Sequence, residues 1–597
     1  MSNFWIHPAL IMLVGGALLP LIPERVKKGY LLAVPLLAFA RIFSMQWDFG
    51  MHGELHFAQW TLTFGRVDAL SQVFGYIMGL MCIIGTLYGL HVKRNAEHIA
   101  AWFYVAGSMG AIYAGDFITL FLFWELMAIA STFLIWFRGE ARSLGAGFRY
   151  LLVHMAGGVA LLAGIMLHYK ATHSLAFVKL DVDAPTLSTY LIMTGFILNA
   201  AVPPLHAWLP DAYSSATFNG SVFMCAFTTK TAVYALARGL PGMHILVPLG
   251  VFMAVAGAIY AVLQDDSRRL LAYHVISQVG YMVAGVGIGT ALAINGACAH
   301  AFAHILYKGL LFMGCGTVLH ITGETRFSQL GGLYKKMPWT FVLTLIGGLS
   351  ISAFPFFSGF VSKSMIVSAG FEQHTFWAGF LLLLASSGTF LSTTLKIPYF
   401  IWFGKNRCTP QVWEKAKDPN WNMTAAMAFT AFLCVFIGCY TPYLYRMLPY
   451  PEEAANFFPY TAFHISETMQ ILLFTALGFF LLIKKMEPHA GLCLDLDWVY
   501  RKGGEAFFWF ARRPVQAIDT FVGEVYSRVG LSGLMDSARS VGEFDNDVID
   551  GAVDGFAGGI RRLGASLRFL QRGAVQQNLA MAFAVAAVLG LVTIFIF

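Results

Sequence analysis

Residues 294–319 read INGACAHAFAHILYKGLLFMGCGTVL, an apolar stretch long enough to cross a membrane as a helix. The stretch contains His300, His304 and Lys308 at intervals of four residues. Because four residues turn an α-helix by about 400°, the three side chains form one stripe along the helix. A charged group at this depth costs about 2.5–3.5 kcal/mol on insertion scales, so we predict that the stripe is functional.

The composition of the whole chain indicates an integral membrane protein. Of its 597 residues, 58% are hydrophobic and only 12% are charged, and the mean hydropathy is +0.66. Soluble domains carry about 25% charged residues. The composition therefore excludes a soluble enzyme, a nucleic-acid-binding protein and a disordered scaffold. The formal net charge of +7 is attributed to basic cytoplasmic loops.

Long apolar runs between polar breaks predict an all-α polytopic membrane protein with about 16 transmembrane helices. Basic residues lie in alternate loops, so the positive-inside rule places both termini outside the cell (inner) membrane. The predicted spans are 4–22, 29–44, 67–92, 99–115, 117–138, 148–169, 189–210, 219–238, 244–264, 269–289, 294–319, 338–372, 376–404, 422–441, 465–484 and 577–597.

Two of these spans contain prolines that are expected to interrupt the helix. In one, Asn199 is followed by Pro203 and Pro204, and in the other Pro355 is followed by FFSGFVSK. Proline removes a backbone donor and clashes with the preceding turn. Unwound backbone is tolerated at membrane depth only beside protein or a watery cavity. Interrupted helices in two halves of a chain therefore indicate an ion-handling centre.

Further ionisable residues lie inside predicted spans, where they must be paired, hydrated or functional. Glu125 lies in FLFWELMA, and the alternative to a functional role is a protonated carboxyl bonded to a backbone carbonyl. Lys230 lies near the middle of span 219–238, which argues against snorkelling to the interface. Lys363 follows the second interruption, and Lys396 lies in the next span. With the histidine stripe, these residues predict a lateral, hydrated proton wire.

The histidines and cysteines raise the question of a metal or cofactor. His300 and His304 are spaced like a pair of metal ligands, but lysine is a poor ligand and no third ligand is evident, so we predict no metal. The eight cysteines form no CxxC pair, so we predict no iron–sulfur, zinc-ribbon or haem site and no cofactor. Lone histidines such as His154 and His168 are interpreted as hydrogen-bonded structural residues.

The segment 486–576 is polar and amphipathic, unlike the rest of the chain. Its last part has apolar residues at helical spacing and charges largely on other faces. A lateral helix on the cytoplasmic membrane surface fits this pattern, and 50 helical residues would extend about 75 Å. The apolar residues are Ile549, Ala552, Val553, Phe556, Ile560, Leu563, Leu567 and Leu570.

Six segments together give the chain a resemblance to a known family. They are FWELMAIAS (123–131), PPLHAWLPDA (203–212), KTAVYALAR (230–238), DDSRRLLAYHVISQVGYM (265–282), HAFAHILYKGLLFMGCG (300–316) and FSGFVSKSMI (357–366). On these segments the chain resembles the antiporter-like membrane subunits of complex I and of Mrp-type sodium/proton antiporters. Residues 486–597 resemble the long surface helix and last span of subunit L of complex I, which shorter antiporter-like subunits lack.

The resemblance implies two inverted five-helix repeats, each with a broken helix. It also implies roles: Glu125 as a charged partner near the first half-channel, Lys230 as a central relay, the 300–308 stripe as the link, and Lys363 as the second-half proton site. The domains are then 1–98 (N-terminal helices), 99–264 (first repeat), 265–404 (second repeat), 405–485 (additional helices), 486–576 (lateral segment) and 577–597 (final helix).

One residue departs from the family. The first broken helix of the family usually carries a lysine seven residues before the histidine of its PLHxW motif, and here that position is Asn199. The usual glutamate–lysine pair of the first half therefore lacks its usual base. Two alternatives follow. Lys230 takes over the role of that lysine, or the first half is altered in the ion that it moves or in its activity.

The leading functional hypothesis is an ion-translocating subunit of a complex I-like or Mrp-like assembly. The ion is H⁺, with Na⁺/H⁺ exchange left open, and the expected partners are other membrane subunits and the lipid bilayer, with no nucleic acid. One alternative is a non-conducting anchoring subunit, which Asn199 motivates. Another is the membrane subunit of an inorganic-carbon uptake complex, whose membrane subunit has related motifs and which a copurifying zinc protein would identify.

Overall fold

The computed structural model describes residues 5–488, 491, 495–568 and 573–596. Two compact units are present, Met1–Leu496 and Asp497–Phe597. Leu570 of the predicted amphipathic pattern and the outermost residues of the first and last predicted spans lie outside the described residues.

The first unit begins with two apolar helices and a short sheet. Helices α1 (Pro8–Leu18) and α2 (Glu24–Ser44) precede an antiparallel hairpin of β1 (Gly50–Phe57) and β2 (Trp60–Val67). Gly50 pairs with Val67 at one end of the hairpin and Phe57 with Trp60 at the other. The sequence pattern predicted no strands. The hairpin lies between two spans, where the threonine, phenylalanine and valine of β2 favour extended backbone.

The central part of the first unit is a bundle of helices that matches most of the predicted spans. These helices are α3 (Ala69–Tyr88), α4 (Asn95–Tyr113), α5 (Phe117–Trp136), α6 (Ala141–Thr172), α7 (Leu187–Asn199), α8 (Trp208–Ser215), α9 (Gly220–Met224), α10 (Thr228–Gly239), α11 (Leu246–Leu263), α12 (Ser267–Ile288), α13 (Ala291–Thr322), α14 (Pro338–Ile351), α15 (Ser358–Glu372) and α16 (Phe376–Thr389).

Helix α16 continues into π-helical turns at Phe390–Lys396 and Tyr399–Phe403. Pro398 between these turns has no amide hydrogen to donate, which favours a local change in the helical hydrogen-bond pattern. The first unit then closes with α17 (Pro410–Lys415), α18 (Trp421–Cys439), α19 (Thr441–Tyr445), α20 (Pro451–Ala455) and α21 (Ala462–Leu482).

The second unit is helical except at Gly573 and Ala574 among its described residues. Helices α22 to α25 are joined by π-helical turns, and α26 follows them. Their bounds are α22 (Asp497–Phe510), α23 (Gln516–Val525), α24 (Ser532–Phe544), α25 (Gly551–Leu567) and α26 (Val575–Ile596).

The chain is a multi-pass membrane protein, as predicted. Eleven of the described helices have at least 18 residues and are apolar enough to cross a membrane. Three apolar stretches are shorter, and two of them, α7 and α14, are the first halves of the helices predicted to be broken. The total of 16 spans stays a prediction.

Both proline-containing interruptions are present. The chain leaves helical geometry between α7 and α8, and again between α14 and α15. The second residue after each first half has a positive φ, 58° at Ala201 and 59° at Ala353. The Pro203–Pro204 peptide bond is cis. These turns bring unpaired backbone carbonyls into the interior of the bundle.

A third interruption was not predicted, and the expectation of one continuous helix over 219–238 is wrong. Helix α9 ends at Met224 and α10 begins at Thr228, so Lys230 lies in the first turn of a helix rather than near its middle. The run Thr228-Thr229-Lys230-Thr231 explains the break. Threonine hydroxyls compete with the backbone for hydrogen bonds, and the lysine binds a carbonyl that the break leaves free.

Two regions of the bundle share a spacing of 150 residues. Asp116, which caps α5, forms an isolated β-bridge with Ala176, and Asp266, which caps α12, forms one with Arg326. Both partners of the second bridge lie 150 residues after those of the first. Helices α6 and α13 both have 32 residues, and their starts are also 150 residues apart. The inverted orientation of two five-helix repeats and the domain boundaries stay predictions.

A partly buried ion pair holds α3 against α10. Asp68 caps α3, and its carboxylate accepts hydrogen bonds of 2.7 and 2.8 Å from Arg238, whose side chain is 4% exposed. Burial raises the pKa of Asp68, but the hydrogen bonds and charge of Arg238 lower it more, to about 2. The stabilisation is therefore present above the ordinary value near 3.8 and is lost as the pH falls through about 2.

We expect Asp68→Asn to lower the free energy of unfolding by about 2 kcal/mol at neutral pH. The loss is smaller than for a fully buried pair because Asp68 itself is partly exposed. The thermal unfolding midpoint in detergent measures it, with the exposed Asp183→Asn as control. An unchanged midpoint for Asp68→Asn at pH 7 would contradict the assignment.

Candidate functional site

The stripe predicted from spacing lies in the centre of the bundle. His300, His304 and Lys308 all lie on α13, and each is fully buried. The ring centroids of the two histidines are 6.3 Å apart. Both ring nitrogens of His304 are buried and make no hydrogen bond within the described part of the chain. Buried polar atoms usually have a hydrogen-bond partner, so we expect a water molecule to bind His304.

His300 connects four helices through hydrogen bonds. Its Nδ1 lies 2.9 Å from the Ser362 hydroxyl on α15, and its Nε2 lies 3.2 Å from Oε1 of Gln278 on α12. The Tyr307 hydroxyl lies 3.3 Å from the same Nε2. Gln278 in turn donates to the Thr389 hydroxyl on α16, at 3.3 Å. Sequence reasoning identified His300 but not these partners, which are distant along the chain.

Lys363 lies beside this network, at the second helix interruption. Its Nζ donates to the carbonyl oxygen of Ile351, the last residue of α14, at 2.7 Å, and lies 5.0 Å from the ring centre of Tyr281. Lys363 is 3% exposed. It also lines a cavity of about 390 Å³, whose other ionisable lining residues are Glu372, His464 and Glu467.

The two central lysines bind backbone carbonyls in the same way. Lys230 donates to the carbonyl oxygen of Cys225 at 2.6 Å, in the break between α9 and α10, and to the Thr229 hydroxyl at 3.1 Å. Lys308 donates to the carbonyl oxygen of Leu271 on α12 at 2.9 Å. Both lysines are fully buried. Carbonyl oxygens replace part of the hydration that a buried ammonium group loses.

Glu125 lies apart from the lysines. It is on α5, and its Oε1 is buried against Gly158 of α6 without a hydrogen bond inside the described ranges. Asn199 bonds to His154 instead: its Oδ1 lies 2.8 Å from the histidine Nδ1. The interpretation of His154 as a hydrogen-bonded histidine fits this contact. Sequence reasoning missed that Glu125 lies against Gly158, one helical turn after His154 on α6. The 150-residue spacing between His154 and His304 is a signal that could have singled out His154.

Lys396 is separate from the central network. It binds the carbonyl oxygens of Val262 and Gln264 at 2.6 and 2.7 Å, at the carboxyl end of α11. It also lines a second cavity of about 380 Å³ together with Asp265. His274 of α12 is hydrogen-bonded to the Ser392 hydroxyl in the π-helical turn before Lys396.

Asp495, which sequence reasoning did not single out, is buried between two residues of the first unit. Its Oδ1 lies 3.2 Å from Nε2 of His206 in the first broken helix, and its Oδ2 accepts a hydrogen bond of 2.6 Å from the Tyr273 hydroxyl. Burial raises the pKa of Asp495. The hydrogen bond and charge of His206 lower that pKa by a larger amount, so the net pKa lies below its ordinary value. Asp495 therefore stays an anion at neutral pH.

The described residues contain no group of three or more histidine, cysteine, aspartate or glutamate side chains that could hold a metal ion. Within that part of the chain, the rings of His300 and His304 form no hydrogen bond to a carboxylate or a thiol. The groups that do converge are imidazoles, ammonium groups and hydroxyls, which can exchange protons, together with the Gln278 amide, which hydrogen-bonds to them.

The fold and the site together define a polytopic membrane protein with a titratable interior. The chain belongs to the NADH:quinone oxidoreductase/Mrp antiporter family, whose transmembrane part matches residues 114–392. The putative antiporter subunit mnhD2 of Staphylococcus aureus is 30% identical over 378 residues, which cover 59% of this chain and 75% of the relative. The resemblance found in the sequence is confirmed.

Two further comparisons extend beyond the matched region. A Na(+)/H(+) antiporter subunit of Alkalihalophilus pseudofirmus is 29% identical over 444 residues, 69% of this chain and 89% of the relative. The fold is similar to a chain in the structure of the Mrp complex from Dietzia sp. DQ12-45-1b, with a TM-score of 0.68, 21% identity, and coverage of 78% of this chain and 98% of that one. The likeness of 486–597 to subunit L stays a prediction.

Proposed function

We propose that this chain is an ion-translocating membrane subunit of a multisubunit complex and that it moves protons through the buried side chains of its bundle. The observation that carries the proposal is the hydrogen-bonded connection from Ser362 through His300 and Gln278 to Thr389, buried throughout and flanked by Lys363 and Lys308. Imidazole, hydroxyl and ammonium groups at hydrogen-bond distance can pass protons between them.

Burial explains why lysines serve in such a relay. Loss of hydration disfavours the charged form of a lysine, so a modest change in its surroundings switches it between the ammonium and amine forms. Two unit charges about 6 Å apart interact by a few kcal/mol at an effective dielectric constant near 20. Protonation of Lys308 or Lys363 therefore changes the proton affinity of the groups between them.

The remaining candidate residues extend the relay. Lys230 exchanges protons at the centre of the relay, and Glu125 exchanges them in the first half. Lys396 exchanges protons at the carboxyl end of α11. The cavity beside Lys363 gives the second half a route towards the surface. The relatives' names support H⁺ as the ion, Na⁺ as an exchanged ion and a setting among other subunits. The basic residues in alternate loops support a place in the cell membrane with both termini outside.

Transport by the purified complex tests the proposal. The complex, purified through a tag on this chain, is reconstituted into liposomes containing a trapped pH dye, and a membrane potential is imposed with K⁺ and valinomycin. We expect Lys308→Ala and Glu125→Gln to reduce proton movement at least about 10-fold, because each removes a group that exchanges protons. A Na⁺ gradient applied to the same vesicles tests exchange.

The exposed Lys405→Ala is the matched control, and native gels check assembly of every variant. Full proton movement by both Lys308→Ala and Glu125→Gln would overturn the proposal. If transport then depended only on residues 490–576, the chain would be an anchoring subunit.

A further inference from the structure

Three buried polar atoms near one turn of α6 have no hydrogen bond within the described residues. They are Oε1 of Glu125, Nε2 of His154 and Nδ2 of Asn199. Oε1 of Glu125 is so close to Gly158 that a side chain at that glycine would overlap it. Gly158 follows His154 by one helical turn, about 6 Å along α6. A carboxyl, an imidazole and an amide thus lie around a short stretch of one helix.

The contacts of His154 hold its ring, and the orientation of the Asn199 amide assigns its tautomer. Oδ1 of Asn199 can only accept, so Nδ1 of His154 donates to it across 2.8 Å. The neutral ring then carries its hydrogen on Nδ1 and has a lone pair on Nε2, the atom without a partner. Tyr150 and Trp208 hold the ring in place, with ring centroids 4.1 and 4.5 Å from it. His154 is therefore oriented as a proton acceptor.

We infer that His154 is the proton-accepting residue of the first half of the chain, with Glu125 as the carboxyl group that exchanges a proton with it through water. The inference rests on the proposed function. In the exchange, Nε2 of His154 gains the proton that the Glu125 carboxyl loses, or returns it, so no other reactant is needed. Both unpaired atoms are buried and polar, and such atoms recruit ordered water.

Hydroxyl groups continue from His154 towards Lys230. The Tyr150 hydroxyl, one turn before His154 on α6, lies 2.8 Å from that of Ser131 and 3.5 Å from that of Thr228. Thr228 begins α10, and the next residue, Thr229, accepts a hydrogen bond of 3.1 Å from Nζ of Lys230. Buried hydroxyl groups thus lie between α6 and the first turn of α10, which contains the central lysine Lys230.

The corresponding position in the second region supports the assignment. His304 lies 150 residues after His154, on the helix that corresponds to α6 in length and spacing. Both histidines are buried and have an unpaired Nε2 within the described residues. A proton carrier needs one ring nitrogen free to bind a proton, and both histidines have one.

The test uses His154→Gln in the reconstituted complex. Glutamine retains polarity and approximate size but does not take up a proton, so we expect proton movement to fall at least about 10-fold. His168→Gln on the same helix, away from this cluster, is the matched control and should transport at the wild-type rate. If His154→Gln moved protons at the wild-type rate while Lys308→Ala still reduced proton movement, this inference would be overturned and the proposed function would stand.

A double-variant measurement separates proton exchange from a purely structural role. If His154 and Glu125 exchange one proton, His154→Gln combined with Glu125→Gln transports no less than the slower single variant. Independent contributions would instead multiply the two losses, which would contradict the pairing. The pH dependence of the rate should also flatten in His154→Gln, whereas a residue that only packs the bundle would leave the shape of that profile unchanged.

Discussion

Replacing Lys363 by alanine should reduce proton translocation by at least about 100-fold, the lower end of what a positioned acid–base group contributes. Lys363 lines the cavity of about 390 Å³ and follows Ser362, whose hydroxyl is bonded to His300, so it lies on the proposed route between the cavity and His300. Alanine removes the ammonium group and also leaves the Ile351 carbonyl at the end of α14 without its 2.7 Å hydrogen bond.

Two matched variants distinguish these effects. Lys363→Arg keeps a positive charge near the Ile351 carbonyl but does not release its proton at neutral pH, so it should assemble normally and still fail to transport. Ser364→Ala changes a neighbouring residue that lines the same cavity, and it should transport normally. Proton movement by Lys363→Arg at the wild-type rate would show that a fixed charge is sufficient there.

Replacing His300 by glutamine should have an effect of similar size for a different reason. Glutamine can keep hydrogen bonds to Ser362 and to Tyr307, so the packing of α13 against α12 and α15 is largely retained. An amide does not bind and release a proton as imidazole does, so the connection between Lys363 and the rest of the stripe is lost. Dye-reported proton movement in the same liposomes measures the result.

The control for His300→Gln is His320→Gln, which changes a histidine at the far end of the same helix and should leave transport unchanged. Ser362→Ala provides a graded test, because it removes the hydroxyl that joins His300 to α15 and leaves the imidazole in place. We expect an intermediate loss from it. Normal transport by His300→Gln would mean that protons reach Lys363 by a route that bypasses this histidine.

Helix ends give the lysines of this chain a common environment. Lys230, Lys363 and Lys396 each bind carbonyl oxygens at the carboxyl end of a helix. That end carries partial negative charge and has carbonyls without an intrahelical partner. The break between α14 and α15 and the unpredicted one before α10 therefore do more than bend the bundle. They supply the ligands that make a buried ammonium group tolerable.

The sequence alone determined the membrane class, most of the spans, the two proline breaks and the titratable residues. Composition and apolar run length are properties of single segments, and a lysine or glutamate inside an apolar run is conspicuous because burial of its charge is costly. The four-residue spacing of His300, His304 and Lys308 likewise fixed their common face on one helix. None of these inferences requires knowledge of which helices are neighbours.

Only the tertiary structure decided which of these groups meet. Ser362 and Gln278 reach His300 from two other helices, and Thr389 on a third joins them through Gln278. Asn199 reaches His154 across 45 residues of sequence. The break before Lys230 also became evident only in the structure, because residues 219–238 were predicted as one apolar span in spite of the polar run that begins at Thr228. Hydrogen bonds between distant segments follow from the way helices pack, and periodicity within one segment contains no information about its neighbours.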